Sequence, residues 1–133
     1  MDLPHWIEGC PLDPWGGRQP EGSPATFHGW LVLGKTLVAS AEIRQSLLTA
    51  LKEGLAASEG DYAMCFDPRH AIRATAENGE AADVVICFEC DQVEVYLGPN
   101  SEPDQHLLTT ASPEPEFDKV LREAGVPLAR KSP

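Results

Sequence analysis

Apolar residues recur every four positions between Ala41 and Ser58, at Ile43, Leu47, Leu51 and Leu55, with Leu48 and Ala50 flanking the stripe. That period predicts an amphipathic α-helix with one buried face. Ser40 suits its N-cap, Glu42 falls in the first turn where the helix dipole favours negative charge, and Gly60 lies just past its end. A second pattern, about Glu114 to Ala124, places Phe117, Val120 and Leu121 on one face. Ser112-Pro113 supplies an N-cap and a proline at the first helical position, and Gly125 and Pro127 stop the helix.

Other stretches carry strand patterns. "FHGWLVL" predicts a strand, Gly34-Lys35 a turn, and "TLVAS" a short second strand or the entry to the first helix. "YAMCF", "AIRATAE" and the run from Asp83 to Leu97 are rich in β-branched and aromatic residues. Asp67-Pro68 and Asn78-Gly79 separate them, which predicts a meander. "VVICF" has no polar interruption, as in a strand covered on both faces, whereas "QVEVYL" alternates like a half-exposed strand. Residues 98–111 read as a loop. The expected fold class is α+β: a mostly antiparallel sheet of four or five strands, one long helix packed on a face, and a short C-terminal helix.

The 133 residues suit one domain. Pro4, Pro11, Pro14, Pro20, Pro24 and the Gly16-Gly17 pair argue against a helix interior or central strand near the start. Residues 1–26 are therefore expected as an irregular arm, residues 27–126 as the domain and residues 127–133 as a frayed tail. Trp6 and Trp15 either tie the arm down or line a surface for a partner.

Charge narrows the classes of partner. Twenty-one acidic residues against ten scattered basic ones give a formal charge of −11. Nucleic-acid binding needs a basic footprint, so it is set aside, and an anionic membrane surface is disfavoured on the same ground. No run approaches the roughly 20 apolar residues that span a bilayer. "MDLPHWIEGCPLDPWGG" lacks the basic and apolar regions of a secretory signal, so a cytoplasmic location is expected. In that reducing setting the four cysteines should be free, metal-bound or transiently oxidised rather than structural disulfides.

Three of those cysteines and one of the four histidines fall within "CFDPRHAIRA" and "VVICFEC". Cys65, His70, Cys87 and Cys90 make up a Cys3His set of the kind zinc accepts. Residues three apart on a regular strand face opposite ways, so Cys87 and Cys90 converge only if a turn or bulge intervenes. A zinc knuckle usually has glycine after its second cysteine, and here that residue is Asp91. Alternatively Cys87 and Cys90 form a redox pair, although Glu89 between them would raise a thiol pKa. Cys65 as nucleophile with His70 as base is a third arrangement. Finally, Cys65 and Cys87 fit as core thiols among Phe66, Val85, Ile86 and Phe88, with Arg69 paired to Asp67 or Glu89.

Taken together, "MCFDPRHAIRAT", "DVVICFECDQVEVY" and "FDKVLREAGVPL" resemble a group of small uncharacterised bacterial proteins with a Cys-Phe-x-Pro-Arg-His stretch and an Ile-Cys-Phe-Glu-Cys strand. The likeness covers roughly the second half of the chain, and Ala71 stands where the group more often has glycine. The resemblance implies a bacterial, cytosolic domain and carries no activity. It directs attention to Pro68, Arg69, His70, Cys87, Glu89 and Cys90 as a unit.

The leading expectation is a small, acidic, non-enzymatic binding or regulatory protein acting on another protein, with an immunity protein or antitoxin facing a basic partner as one form. Trp6, Trp15, Pro68, Arg69, His70 and Glu89 are its candidate contacts. One alternative is a zinc or thiol-redox protein using Cys65, His70, Cys87 and Cys90, with zinc the only cofactor in view. Another is an enzyme in which Arg69 holds an anionic substrate and His70 transfers protons beside Asp67 or Glu89. Edge strands such as "FHGWLVL" also allow a homo-oligomer.

Overall fold

The structure, a computed structural model, describes residues 6–20, 25–58, 65–98 and 102–131. Eight antiparallel strands form one curled, half-barrel sheet, accompanied by two helices. In chain order they are β1 (Trp6–Asp13), β2 (Thr26–Phe27), β3 (Trp30–Val32), β4 (Thr36–Leu37), α1 (Ala41–Ala56), β5 (His70–Thr75), β6 (Ala81–Cys87), β7 (Gln92–Tyr96), β8 (Gln105–Leu108) and α2 (Glu114–Glu123). The sheet runs β2-β3-β1-β5-β6-β7-β8, with β4 also paired to β1. The expected α+β fold built on four or five strands is thereby overturned. The protein is sheet-rich, and the missing strands came from segments read as arm and loop.

The largest correction falls on residues 1–26. Trp6–Asp13 is an interior strand, pairing with β5 over six residues on one edge and with β4 and then β3 on the other. Pro11 is tolerated because of where it sits. Its carbonyl accepts the Leu33 N–H at 2.8 Å just where the neighbour changes from β4 to β3. A missing N–H there falls between the β1–β4 and β1–β3 pairings rather than in the middle of either ladder.

The other differences are similar in kind. "FHGWLVL" is broken by left-handed residues, His28 at φ +50° and Gly29 at φ +89°, so it forms the β2–β3 hairpin instead of one strand. The expected loop at 98–111 contains β8. Most of "YAMCF" lies outside the described residues, and Cys65 and Phe66 belong to no strand. In the expected frayed tail, the Arg130 carbonyl accepts the Trp15 indole N–H at 2.8 Å.

The helices follow their periodicity, except that Ile43, expected on the buried stripe of α1, is exposed. Ser40 Oγ caps α1 by accepting the Ile43 N–H at 3.3 Å, and Leu47 and Leu51 are buried. A Cβ on Gly54 would come within 2.8 Å of Pro113 and Thr109, so only glycine lets α1 lie this close to the β8–α2 connection. In α2 the N-cap is Pro113, without a side-chain cap bond. Ser112 pairs with Thr110 instead, at 2.8 Å.

Alternation along the strands divides the core in two. Ile7, Ile72, Ile86 and Val93 pack with Leu47, Leu51 and Phe117 on the helix face. Cys10, Leu12, Ala71, Val85 and Tyr96 pack on the opposite face with Phe27 and Trp30 of the β2–β3 hairpin. Among the described residues, no helix is long and apolar enough to cross a membrane.

Candidate functional site

β6 ends at Cys87, and the chain returns through Phe88–Asp91 to start β7 at Gln92, directly across from Cys87. A turn therefore does intervene between Cys87 and Cys90. Asp91 closes it at φ +55°, a left-handed conformation that aspartate adopts more readily than most residues. The Cys90 N–H donates to Cys87 Sγ at 3.1 Å, and the Asp67 backbone N–H bonds the same sulfur.

Cys90 instead meets Cys65, and the two are joined as a disulfide across a separation of 25 residues. Gln92 Nε2 supports the junction by donating to the Cys65 carbonyl at 3.4 Å. The Asp67 carboxylate lies within 4.8 Å of both sulfurs. Cys65 is exposed, whereas Cys87 and Cys10 are buried free thiols. Burial pushes Cys87 up despite its two N–H donors, and burial followed by the charge of Glu8 pushes Cys10 up to about 11. At neutral pH both stay protonated and are poor nucleophiles.

His70 is placed elsewhere. It starts β5 on the helix face, with its ring edge-on to Phe88 and Phe117 and its Nε2 2.6 Å from Asp118 of α2. The carboxylate is the acceptor, so Nε2 carries the hydrogen, and Nδ1 is buried with no hydrogen-bond partner among the described residues. Burial raises the Asp118 carboxyl, but the hydrogen bond and charge of His70 outweigh it and hold the group below the usual carboxylate range. Arg69 is also buried and donates to Glu114 at 3.2 Å.

The Cys3His set is accordingly split. Cys65 and Cys90 gather with Asp67, while His70 gathers with Glu114 and Asp118. The first trio would offer two thiolates and a carboxylate, a donor set zinc accepts, only once the Cys65–Cys90 bond is reduced. In the second trio Arg69 already brings a positive charge to Glu114, which opposes a cation. The cavity beside His70 measures about 10 Å³, room for a water and no substrate, so Arg69 and His70 do not share an open pocket. Cys65, bonded to Cys90, is not paired with His70 as nucleophile and base. Pro68 is buried, Glu89 is exposed on the β6–β7 turn, and Trp15 is tied to Arg130. Trp6, opposite Thr75, sits at the other end of β5 from His70.

Glu114 and Asp118 were missed by the sequence reading, yet a signal for them exists. Together with Phe117 and Leu121 they occupy positions i, i+4, i+3 and i+7 of one helix face, which puts two carboxylates on an apolar stripe. His28 and Asp83, which pair at 2.7 Å, carry no such local signal. No family model, curated protein or solved structure matches the chain.

Proposed function

We propose that this chain is a small binding or regulatory protein whose state is set by oxidation of Cys65 and Cys90. The observation that supports it is the meeting of an exposed and a buried cysteine from segments 25 residues apart, while Cys87 is held aside as a protonated thiol. In the reducing cytoplasm expected from the sequence, the pair rests as two thiols. Oxidation by a peroxide or a small-molecule disulfide removes two electrons and two protons and forms the S–S bond, and the oxidant leaves as water or as two thiols. The bond then fastens the segment entering β5 to the β6–β7 turn. In the reduced form, Cys65, Cys90 and Asp67 are the donors available to zinc.

Mapping of alkylated and disulfide-linked peptides before and after mild peroxide tests this reading. The expected product is a Cys65–Cys90 link that a dithiol reverses, with Cys87 and Cys10 alkylated only after unfolding. A Cys87–Cys90 link, or no link, overturns it.

For the partner, a groove beside α1 and α2 favours the basic protein expected from the net charge. Glu42, Glu53 and Glu116 line it, with no basic residue among its described walls. The triple variant E42Q/E53Q/E116Q should lose a partner that the wild-type chain retains at low salt and releases at high salt. Equal retention rejects this surface.

A further inference from the structure

On the sheet face away from the helices, one row of cross-strand neighbours is polar. Arg73 of β5 stands opposite Asp83 of β6, which stands opposite Tyr96 of β7. Arg73 grips the aspartate with two bonds, Nε to Oδ1 at 2.7 Å and Nη2 to Oδ2 at 2.8 Å. His28, from the β2–β3 turn, lies over the row. Its ring stacks on Tyr96 with centroids 3.7 Å apart, and its Nε2 is 2.7 Å from Asp83 Oδ2. Burial raises the Asp83 carboxyl, but these donors outweigh it and keep the group ionised.

His28 reaches this place through a backbone conformation that disfavours side chains, φ +50°. The turn is secured by Arg18 Nη2, which donates to the His28 carbonyl at 3.2 Å, and by the Gln19 N–H, which donates to the Gly29 carbonyl at 2.6 Å. Beside the cluster opens a cleft of about 370 Å³, walled also by Ala81, Leu97 and Gly98. That volume falls in the range of small-molecule sites.

The hydrogen bonds already made define what remains on offer. Asp83 accepts three N–H bonds and has little left to give. That carboxylate accepts a hydrogen bond from His28 Nε2, which in the neutral imidazole leaves Nδ1 as the acceptor. Arg73 spends Nε and Nη2 on Asp83 and keeps Nη1 as a donor, with 44% of its side chain exposed and Phe27 5.3 Å beneath the guanidinium. Leu97, 60% exposed, is the apolar wall. The charge of Arg73 is cancelled by Asp83, and Glu8 stands opposite it on β1. An anion therefore finds no net attraction here.

We propose that this cleft binds a small, uncharged, planar ligand that presents a carbonyl acceptor beside an N–H donor, as a primary amide or a nucleobase edge does. The carbonyl takes the Arg73 Nη1 hydrogen, the N–H faces His28 Nδ1, and the apolar body lies against Leu97.

Benzamide and benzoate are near-isosteric probes that differ in charge and in the N–H donor. In ¹H–¹³C and ¹H–¹⁵N titrations of the full chain, benzamide is expected to give saturable shifts centred on His28, Arg73, Tyr96 and Leu97. Benzoate should bind at least tenfold more weakly. Leu97→Glu, at an exposed position, should weaken benzamide at least fivefold while the amide spectrum stays folded. No saturable shift with benzamide, benzoate binding as well as benzamide, or unchanged benzamide affinity in Leu97→Glu would each overturn the assignment.

Discussion

Two histidines in this chain are each held by an aspartate, His28 by Asp83 at 2.7 Å and His70 by Asp118 at 2.6 Å, and each pair has an arginine close by. Their surroundings differ. His70 lies under α2 between Phe88 and Phe117 with about 10 Å³ of free space, whereas His28 lies on a hairpin turn beside about 370 Å³. The same pairing chemistry thus serves as an internal brace in one place and as a recognition surface in the other. What covers the pair, rather than the pair itself, sets its role.

The difference is open to direct measurement. Replacing His70 by Ala removes a buried ring and leaves Asp118 without its partner, for an expected loss of about 3–4 kcal/mol. His28→Ala should cost about 1 kcal/mol because Arg73 still holds Asp83. Urea unfolding of the two variants makes the comparison, and equal losses would erase it.

The disulfide belongs to neither pair and should act independently of both. By loop-closure entropy, Cys65→Ser should cost about 3 kcal/mol in the oxidised protein and almost nothing in the reduced one. Unfolding curves with and without a dithiol test this, and equal loss under both conditions would make Cys65 an ordinary packing residue.

Acid titration sharpens the contrast further. Asp83 and Asp118 are both held below the ordinary 3.8, so each contributes stability that is full above that value and lost as pH falls through the lower folded pKa. Carboxyl ¹³C shifts should show both midpoints below 3.8. In His70→Ala the Asp118 midpoint should rise, since burial then acts with less opposition, while in His28→Ala the Asp83 midpoint should stay depressed through Arg73. The smallest effect belongs to Leu97→Glu, which should change stability by no more than about 0.5 kcal/mol.

Much of the local structure was legible in the sequence. The four-residue period of Ile43 to Leu55 marked α1, Ser40 its cap, and Phe117 with Leu121 the face of α2. Strand character was read in "FHGWLVL" and "TLVAS", where β3 and β4 lie, but not the left-handed break at His28 and Gly29 that makes a hairpin of the first, and the prolines around β1 signalled an arm. Pro11 occupies the one kind of position where its missing N–H matters little, and this follows from the pairing of β1 with β3 and β4 rather than from neighbouring residues.

For the sites, the sequence by itself singled out the residue types: three cysteines near a histidine, an arginine and an aspartate. Tertiary structure decided who meets whom. It joined Cys65 to Cys90, gave His70 to Asp118, and set His28 on Asp83 across 55 residues. The physical reason is range. Helical period, capping and turn chemistry act over a few residues and can be read in order along the chain, but a disulfide or a buried ion pair depends on which strands lie side by side. That arrangement was settled by burying both faces of a sheet in which one interior strand, β1, looked, residue by residue, like a loop.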